Sequence, residues 1–399
     1  MSNPDFGPTM RRELHVARLE HLRAEMRRRG LPALVLLDSV SIRYATGAAN
    51  MENFTTRVPS RYLVLVEPGP AVLFEYRGCE HLAVGLPTID RVELAEGLNV
   101  VSSDDDVDGA SRRFADAVAA VVRDADPSIE LIGIDRLPFQ AVDALRAKGL
   151  TLADADRVLV PARARKLPIE IEFMREAMRR AEASIAEMEQ AIVPGATEAE
   201  IWAVFHRSLI AREGELMVSR LFQSGARTFP YFQECSTKTV ESGDLVCLDT
   251  DAVGIEGYSS DLSRAFLCGD VEPTSAQRRL YGLAREQLEH NAALLGPGVS
   301  FENVARSAWP IPIEHRQSRY YCIGHGLGVS GDWPNLPHLP ESGPYPMPGE
   351  FEPGMVFCVE SYVGSAADGQ GVKLEDEFLI TDTGVERISS YPFDARLSS

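Results

Sequence analysis

The sequence predicts two domains, an α/β domain over residues 1–162 and an α+β domain over residues 163–399. Three observations carry this. At 399 residues the chain exceeds what one hydrophobic core usually serves. Its first half alternates helical and strand patterns, and its second half places helices first and strands after, the arrangement of an α+β domain with an antiparallel sheet.

In the first half, Arg11–Arg29 is charged and helical, and Gly30 stops it. Ala33-Leu-Val-Leu-Leu37 is an apolar run suited to a buried strand. Tyr62-Leu-Val-Leu-Val66, then Glu-Pro-Gly-Pro, then Ala71-Val-Leu-Phe74 reads as a hairpin. A helix near 110–124 and a strand at Glu130-Leu-Ile-Gly-Ile134 complete the set. The segment Val160-Pro-Ala-Arg-Ala-Arg-Lys-Leu-Pro168 reads as a linker.

A long helix follows it. Ile171, Met174, Met178, Ala181, Ile185, Met188 and Ile192 recur in alternating steps of 3 and 4, one face of a helix. Pro194-Gly195 ends it, and Thr197-Glu-Ala-Glu200 is a capping-box pattern that starts the next. Beyond residue 215 short strands and turns take over. Gly243-Asp244 launches Leu245-Val-Cys-Leu248, and Gly354 precedes Met355-Val-Phe-Cys-Val359.

Composition narrows the function. The 40 basic residues against 59 acidic ones give a net charge of −19, a field that repels nucleic acid and anionic membrane, so neither is an expected partner. No apolar run reaches the roughly 18–20 residues of a membrane-spanning helix. The N-terminal Met1-Ser-Asn-Pro-Asp-Phe-Gly lacks an apolar core, so no secretory signal is expected. The six cysteines are scattered without Cys-x-x-Cys spacing, which suits free thiols in a reducing cytoplasm.

Four segments carry chemistry. Cys247-Leu-Asp249-Thr-Asp251 ends an apolar strand, and an Asp-x-Asp on a strand points both carboxylates to one face. Such a pair repels unless a cation or proton lies between. Ser259-Ser-Asp261 opens the next strand. Gly324-His325-Gly-Leu-Gly328 sets a histidine between glycines, where close backbone approach is allowed. Val359-Glu360-Ser and Leu374-Glu375-Asp add two strand carboxylates. Alone, each segment is commonly a surface turn, a satisfied polar residue or an edge charge. Together, five carboxylates and one imidazole make a hard, oxygen-rich set suited to two divalent ions: iron, manganese, zinc or cobalt.

The order Asp, Asp, Gly-His-Gly, Glu, Glu resembles the M24 pita-bread family of methionine aminopeptidase, Xaa-Pro aminopeptidase, prolidase and creatinase. Glu241-Ser-Gly-Asp-Leu-Val-Cys-Leu-Asp249, Gly257-Tyr-Ser-Ser-Asp261-Leu-Ser-Arg-Ala-Phe266, Gly354-Met-Val-Phe-Cys-Val-Glu360 and Val372-Lys-Leu-Glu375-Asp376 carry the likeness. The resemblance implies a pita-bread catalytic domain over 163–399 and a creatinase- or prolidase-like domain over 1–162. It also implies a homodimer in which the N-terminal domain closes the partner's site. The metal ligands it implies are Asp249, Asp251, Asp261, His325, Glu360 and Glu375.

The chain departs from the peptidase pattern. Where peptidases of the family carry a histidine before the first metal strand, Phe229-Pro230 is followed by Tyr231. Seven residues after the glycine-flanked histidine, where they carry another, stands Asp332. The first metal aspartate lies eleven residues before the second in peptidases; here Asp249 lies twelve before Asp261 and Asp251 ten. The doubled aspartate, with Ile42-Arg-Tyr-Ala-Thr46, Asn50-Met51 and Pro230-Tyr-Phe-Gln-Glu-Cys235, resembles the DddP-type lyases of dimethylsulfoniopropionate (DMSP). Their active-site tyrosine corresponds to Tyr320. Their proposed base aspartate falls on Gly331, next to Asp332.

The expectation is therefore a lyase acting on DMSP or a similar small onium acid, with Asp332 as the first candidate base and Tyr320 and Tyr231 behind it. Tyr231, Tyr320, Trp333 and Phe54 offer aromatic faces to a sulfonium group, at about 0.5–2 kcal/mol each; Trp333 and Phe54 are the expected substrate-binding pair. The rivals are an M24-type hydrolase, whether Xaa-Pro dipeptidase or creatinase-like C–N hydrolase, and a non-catalytic binding protein of the same fold.

Overall fold

A computed structural model describes residues 6–340 and 342–398. The chain forms two compact units, Met1–Arg163 and Ala164–Ser399.

The first unit runs α1 (Pro8–Arg29), β1 (Ala33–Leu36), α2 (Ser39–Thr46), α3 (Glu52–Arg57), β2 (Tyr62–Val66), β3 (Ala71–Glu75), β4 (Arg91–Leu94), α4 (Val107–Ala125), β5 (Leu131–Ile134), α5 (Phe139–Ala147), β6 (Thr151–Asp154) and α6 (Asp156–Ala164). Gly30 closes α1 in the left-handed region at φ 65°, its N–H bonding to Arg27 and Met26 carbonyls. The six strands form one sheet in the order β4-β3-β2-β1-β5-β6. β1, β2 and β3 pair antiparallel, and the remaining pairs are parallel. Phe114, Val118 and Val122 of α4 pack with the β1–β3 side chains into its core.

The expected linker at 160–168 is corrected. Its first half is helix, since α6 runs through Pro161 to Ala164. Arg165 then makes an antiparallel bridge to Met355. Pro161 lies inside this helix, at its sixth residue, where proline usually interrupts helical hydrogen bonding, and the helix nevertheless continues for three more residues.

The second unit opens with α7 (Pro168–Gln190) and α8 (Glu198–Ile210). Met174, Met178, Ala181, Ile185 and Met188 of α7 are buried. The Thr197–Glu200 capping box starts α8. Short strands β7 (Leu216–Met217) and β8 (Phe222–Ser224) follow, then β9 (Leu245–Asp249), β10 (Ala252–Val253), β11 (Ser259–Ser260) and β12 (Ser263–Leu267). Helices α9 (Ser275–Ala292) and α10 (Phe301–Ser307) precede β13 (Cys322–Leu327), β14 (Gly331–Pro337), β15 (Val356–Ser365), β16 (Gln370–Ile380), β17 (Val385–Arg387) and the short α11 (Ala395–Ser398). The main sheet runs β14-β13-β15-β16-β12-β9-β8, with β17 beside β16, and every pairing is antiparallel. Helix α9 covers one face through Leu280, Tyr281, Ala284 and Leu288. No helix among the described residues is long and apolar enough to cross a membrane.

The Asp-x-Asp geometry is also corrected. β9 ends at Asp249, and Asp251 sits in the left-handed region at φ 39°. Strand alternation therefore does not align the two carboxylates. The Thr250 hydroxyl accepts from Leu262 N–H and donates to the Ser260 carbonyl, which pins the break in the strand. Asp enters the left-handed region more readily than most residues.

Candidate metal centre

Five neighbouring elements of the main sheet each deliver one acidic or imidazole group. Asp249 closes β9, Asp261 stands two residues before β12, and His325, Glu360 and Glu375 lie on β13, β15 and β16. All four carboxylates are buried and His325 is partly so. The glycines around His325 are required by close approach. A Cβ on Gly324 would lie 2.2 Å from the Cys358 carbonyl oxygen, and one on Gly326 would lie 2.5 Å from that of Trp333. They let β15 and β14 close on both sides of the histidine. Its Nδ1 lies 3.2 Å from the Gly326 carbonyl, and Nε2 points among Asp261, Glu360 and Glu375 at 3.7, 3.4 and 3.8 Å. A ring held through Nδ1 leaves Nε2 for a metal.

Glu360 and Glu375 are direct cross-strand partners. Like charges so placed repel. The wholly buried Lys373, two residues along β16 from Glu375, answers this. Its Nζ lies 2.6 Å from Glu360, 2.8 Å from Glu375 and 3.4 Å from Asp249, and donates to Ser263 Oγ at 2.7 Å. Burial alone would favour neutral lysine, but Asp249, Glu360 and Glu375 outweigh it and hold the ammonium charged.

The other titrations report crowded negative charge. Burial, then Glu375 and Asp251, pushes the Asp261 carboxyl well above the usual range. Burial, then Glu360, does the same to Glu375. Burial and then Asp249 lift Asp251 to about 6. Asp249 goes the other way: Lys373 and the Tyr231 hydrogen bond overcome its burial and hold it low. For His325, burial is outweighed by the Glu360 hydrogen bond and the charges of Glu360 and Glu375, which raise it to about 9.

The donor set fits divalent cations. Asp249 Oδ1, Asp261 Oδ1 and Glu375 Oε1 are buried without a hydrogen-bond partner. Unsatisfied buried carboxylate oxygens are costly unless a cation meets them. Donor atoms of Asp261, His325, Cys358 and Glu375 lie within 4.8 Å of one another.

An aromatic wall adjoins the carboxylates. Tyr231 donates its phenolic hydrogen to Asp249 Oδ2 at 2.5 Å. Its ring lies 5.5 Å from that of Tyr320 and 5.1 Å from that of Tyr362. Phe232, half exposed, stacks on Tyr320 at 5.5 Å, and Tyr321 joins it at 4.8 Å. Lys373 Nζ lies 4.9 Å from the Tyr320 ring centroid and 5.6 Å from that of Tyr231, so these faces already meet a cation. Burial, then Asp249 for Tyr231 and Glu360 for Tyr320, raises both phenols.

Three residues singled out in the sequence have other surroundings. Asp332 is ion-paired: its Oδ2 lies 2.9 Å from Lys166 Nζ, with both side chains about 2% exposed. Trp333 packs edge-on against Phe301 at 4.9 Å, beside the core under α9, and is not among the rings around Tyr231. Phe54 belongs to the first unit, on α3, with its ring 5.4 Å from Tyr76. Sequence reasoning missed Lys373, Phe232, Tyr321 and Tyr362. Lys373 had a signal: strand alternation sets residues 373, 375 and 377 on one face.

Comparison with known proteins bears on this geometry. Residues 172–382 match the model of metallopeptidase family M24, and residues 18–165 match the creatinase/prolidase N-terminal domain. The chain is 32% identical to a dimethylsulfoniopropionate lyase DddP of Roseobacter denitrificans, across 99% of this chain and 88% of that protein. It is 32% identical to the DddP of Roseovarius nubinhibens, across 91% and 83%. An Xaa-Pro dipeptidase of Pyrococcus furiosus is 26% identical over 65% of this chain and 74% of its own length. Among solved structures, the prolidase of Pyrococcus horikoshii superposes with a TM-score of 0.76 at 21% identity, covering 95% of this chain and 99% of its own, a likeness of fold.

Proposed function

This chain belongs to metallopeptidase family M24, and from that premise we propose that it is a lyase cleaving DMSP, or a similar small onium acid, to dimethyl sulfide and acrylate. The observation that carries the reading is the 32% identity to two DMSP lyases over nearly the whole chain.

Asp249, Asp251, Asp261, His325, Glu360 and Glu375 would hold two divalent ions, drawn from iron, manganese, zinc and cobalt. Bound there, the ions would supply Lewis acidity toward the substrate carboxylate, lowering the cost of negative charge at its α-carbon. The chain's own groups do the rest. The rings of Tyr231, Tyr320 and Phe232 receive the sulfonium. A base takes the α-proton, its C–H electrons form the new C=C bond, and the β-C–S pair departs with dimethyl sulfide. Of the three candidate bases, Asp332 is committed to Lys166 and Tyr231 to Asp249. Tyr320 remains, its hydroxyl without a hydrogen bond to the described residues; burial first and then the Glu360 charge raise its phenol, and the cations would offset the second of these.

A homodimer belongs to the same proposal, on family likeness, and sedimentation of the purified protein tests it. The decisive experiment is headspace detection of dimethyl sulfide after DMSP is added to metal-loaded protein. Production of the sulfide is expected. Its absence, together with turnover of an Xaa-Pro dipeptide near the ordinary rate of about 10 per second, would instead assign the hydrolase reading.

A further inference from the structure

Besides Lys373, two further side chains outside the six proposed ligands share their face of the sheet. Along β15, alternation sets Cys358 beside Glu360; along β16 it sets Glu377 beside Glu375. Register completes the row. His325 pairs with Cys358, Cys358 with Glu377, and Glu360 with Glu375. Cys358 is wholly buried, and its sulfur lies within 4.8 Å of donor atoms of Asp261, His325 and Glu375.

We propose that Cys358 is a thiolate ligand of the ion held by Asp261, His325 and Glu375. This rests on the reading of the cluster as a metal centre and deepens it. Two observations point to a ligand at this end. Asp261 Oδ1 and Glu375 Oε1 are buried with no hydrogen-bond partner, on two residues that each have a donor atom within 4.8 Å of the sulfur. Glu377, directly across the ladder, is wholly buried and adds a further carboxyl to this end of the row. On loading, the S–H bond breaks heterolytically, its electron pair binds the ion, and the proton leaves to water; no redox change is involved. One soft sulfur among hard oxygens biases this position toward zinc, cobalt or iron(II) over manganese.

The test is cobalt(II) added to metal-free protein, with cobalt content measured alongside the near-ultraviolet absorption of sulfur-to-cobalt charge transfer. The expected result is that band at full occupancy, lost in Cys358→Ser while cobalt stays bound. Full occupancy without the band, or the same band in Cys358→Ser, would overturn the proposal and leave the metal centre standing. No bound cobalt would overturn both. Should Cys358→Ser fail to fold, X-ray absorption on cobalt-loaded wild type decides alone: a sulfur shell is expected, and a purely nitrogen and oxygen shell rejects it.

Discussion

Lys166 and Asp332 form an ion pair at 2.9 Å in which both side chains are almost completely removed from solvent, although 166 residues separate them in the chain. Lys166 lies two residues into the second unit and Asp332 on β14, so the pair ties the start of the unit to the strand beside His325. Breaking a buried pair from one side leaves an uncompensated charge and costs about 3–5 kcal/mol. Asp332→Asn should therefore lower the urea midpoint markedly, while kcat under stabilising conditions falls by less than the roughly 10²-fold expected for loss of a general base. A larger fall in kcat at unchanged stability would return the base to Asp332.

Tyr320→Phe should do the reverse. The ring keeps its packing with Tyr231 and Phe232, so fold and metal content should persist. Turnover of DMSP should drop by about 10²-fold or more if its hydroxyl takes the proton. Steady-state kinetics with elemental analysis checks this; near-normal kcat would shift the role to Tyr231.

Lys373→Met should destabilise the metal-free protein by about 3–5 kcal/mol, because three carboxylates lose one shared cation. Added divalent metal should then raise the melting temperature more in the variant than in wild type. Equal shifts would mean that the ammonium and the metals do not act on the same charges.

Chelation should change the pH dependence of stability. Asp261 and Glu375 are raised by burial and neighbouring charge, and Asp251 is raised to about 6 by burial and then Asp249. Groups that bind protons more tightly when folded stabilise fully below their unfolded pKa and lose that contribution as pH rises through the folded one. Asp251's share should disappear between about pH 4 and about pH 6. Asp249, held low by Lys373, opposes this, but three groups stand against one. Urea midpoints of chelated protein should fall across that window, and saturating metal should reduce the fall to what Asp135, raised to about 6 by burial in the first unit, contributes.

His325→Ala removes the only imidazole of the proposed ligand set and should release at least one equivalent of metal. Full occupancy in that variant by elemental analysis would reject its assignment as a ligand.

Much of this centre was legible in the residue order. The likeness of short strand motifs to the family, with the glycines beside His325 that announce close backbone approach, named Asp249, Asp261, His325, Glu360 and Glu375 as expected ligands, and the fold brings these five side chains together. The α7 stripe and the Thr197 capping box were equally local, because helix periodicity and capping involve residues three or four apart. Short elements such as α2, α5 and β6 were missed, since four to nine residues carry little periodicity.

Tertiary structure decided what depends on distant partners. The left-handed Asp251 answers to Thr250's bonds with Ser260 and Leu262. The ion pair that engages Asp332 joins segments far apart in sequence. The ammonium of Lys373 acquires its meaning only when β15 and β16 align Glu360 with Glu375. The types of the clustered side chains are written in local motifs, whereas the neighbours that set each group's charge and freedom come from strand register and long-range packing, which no short stretch of sequence contains.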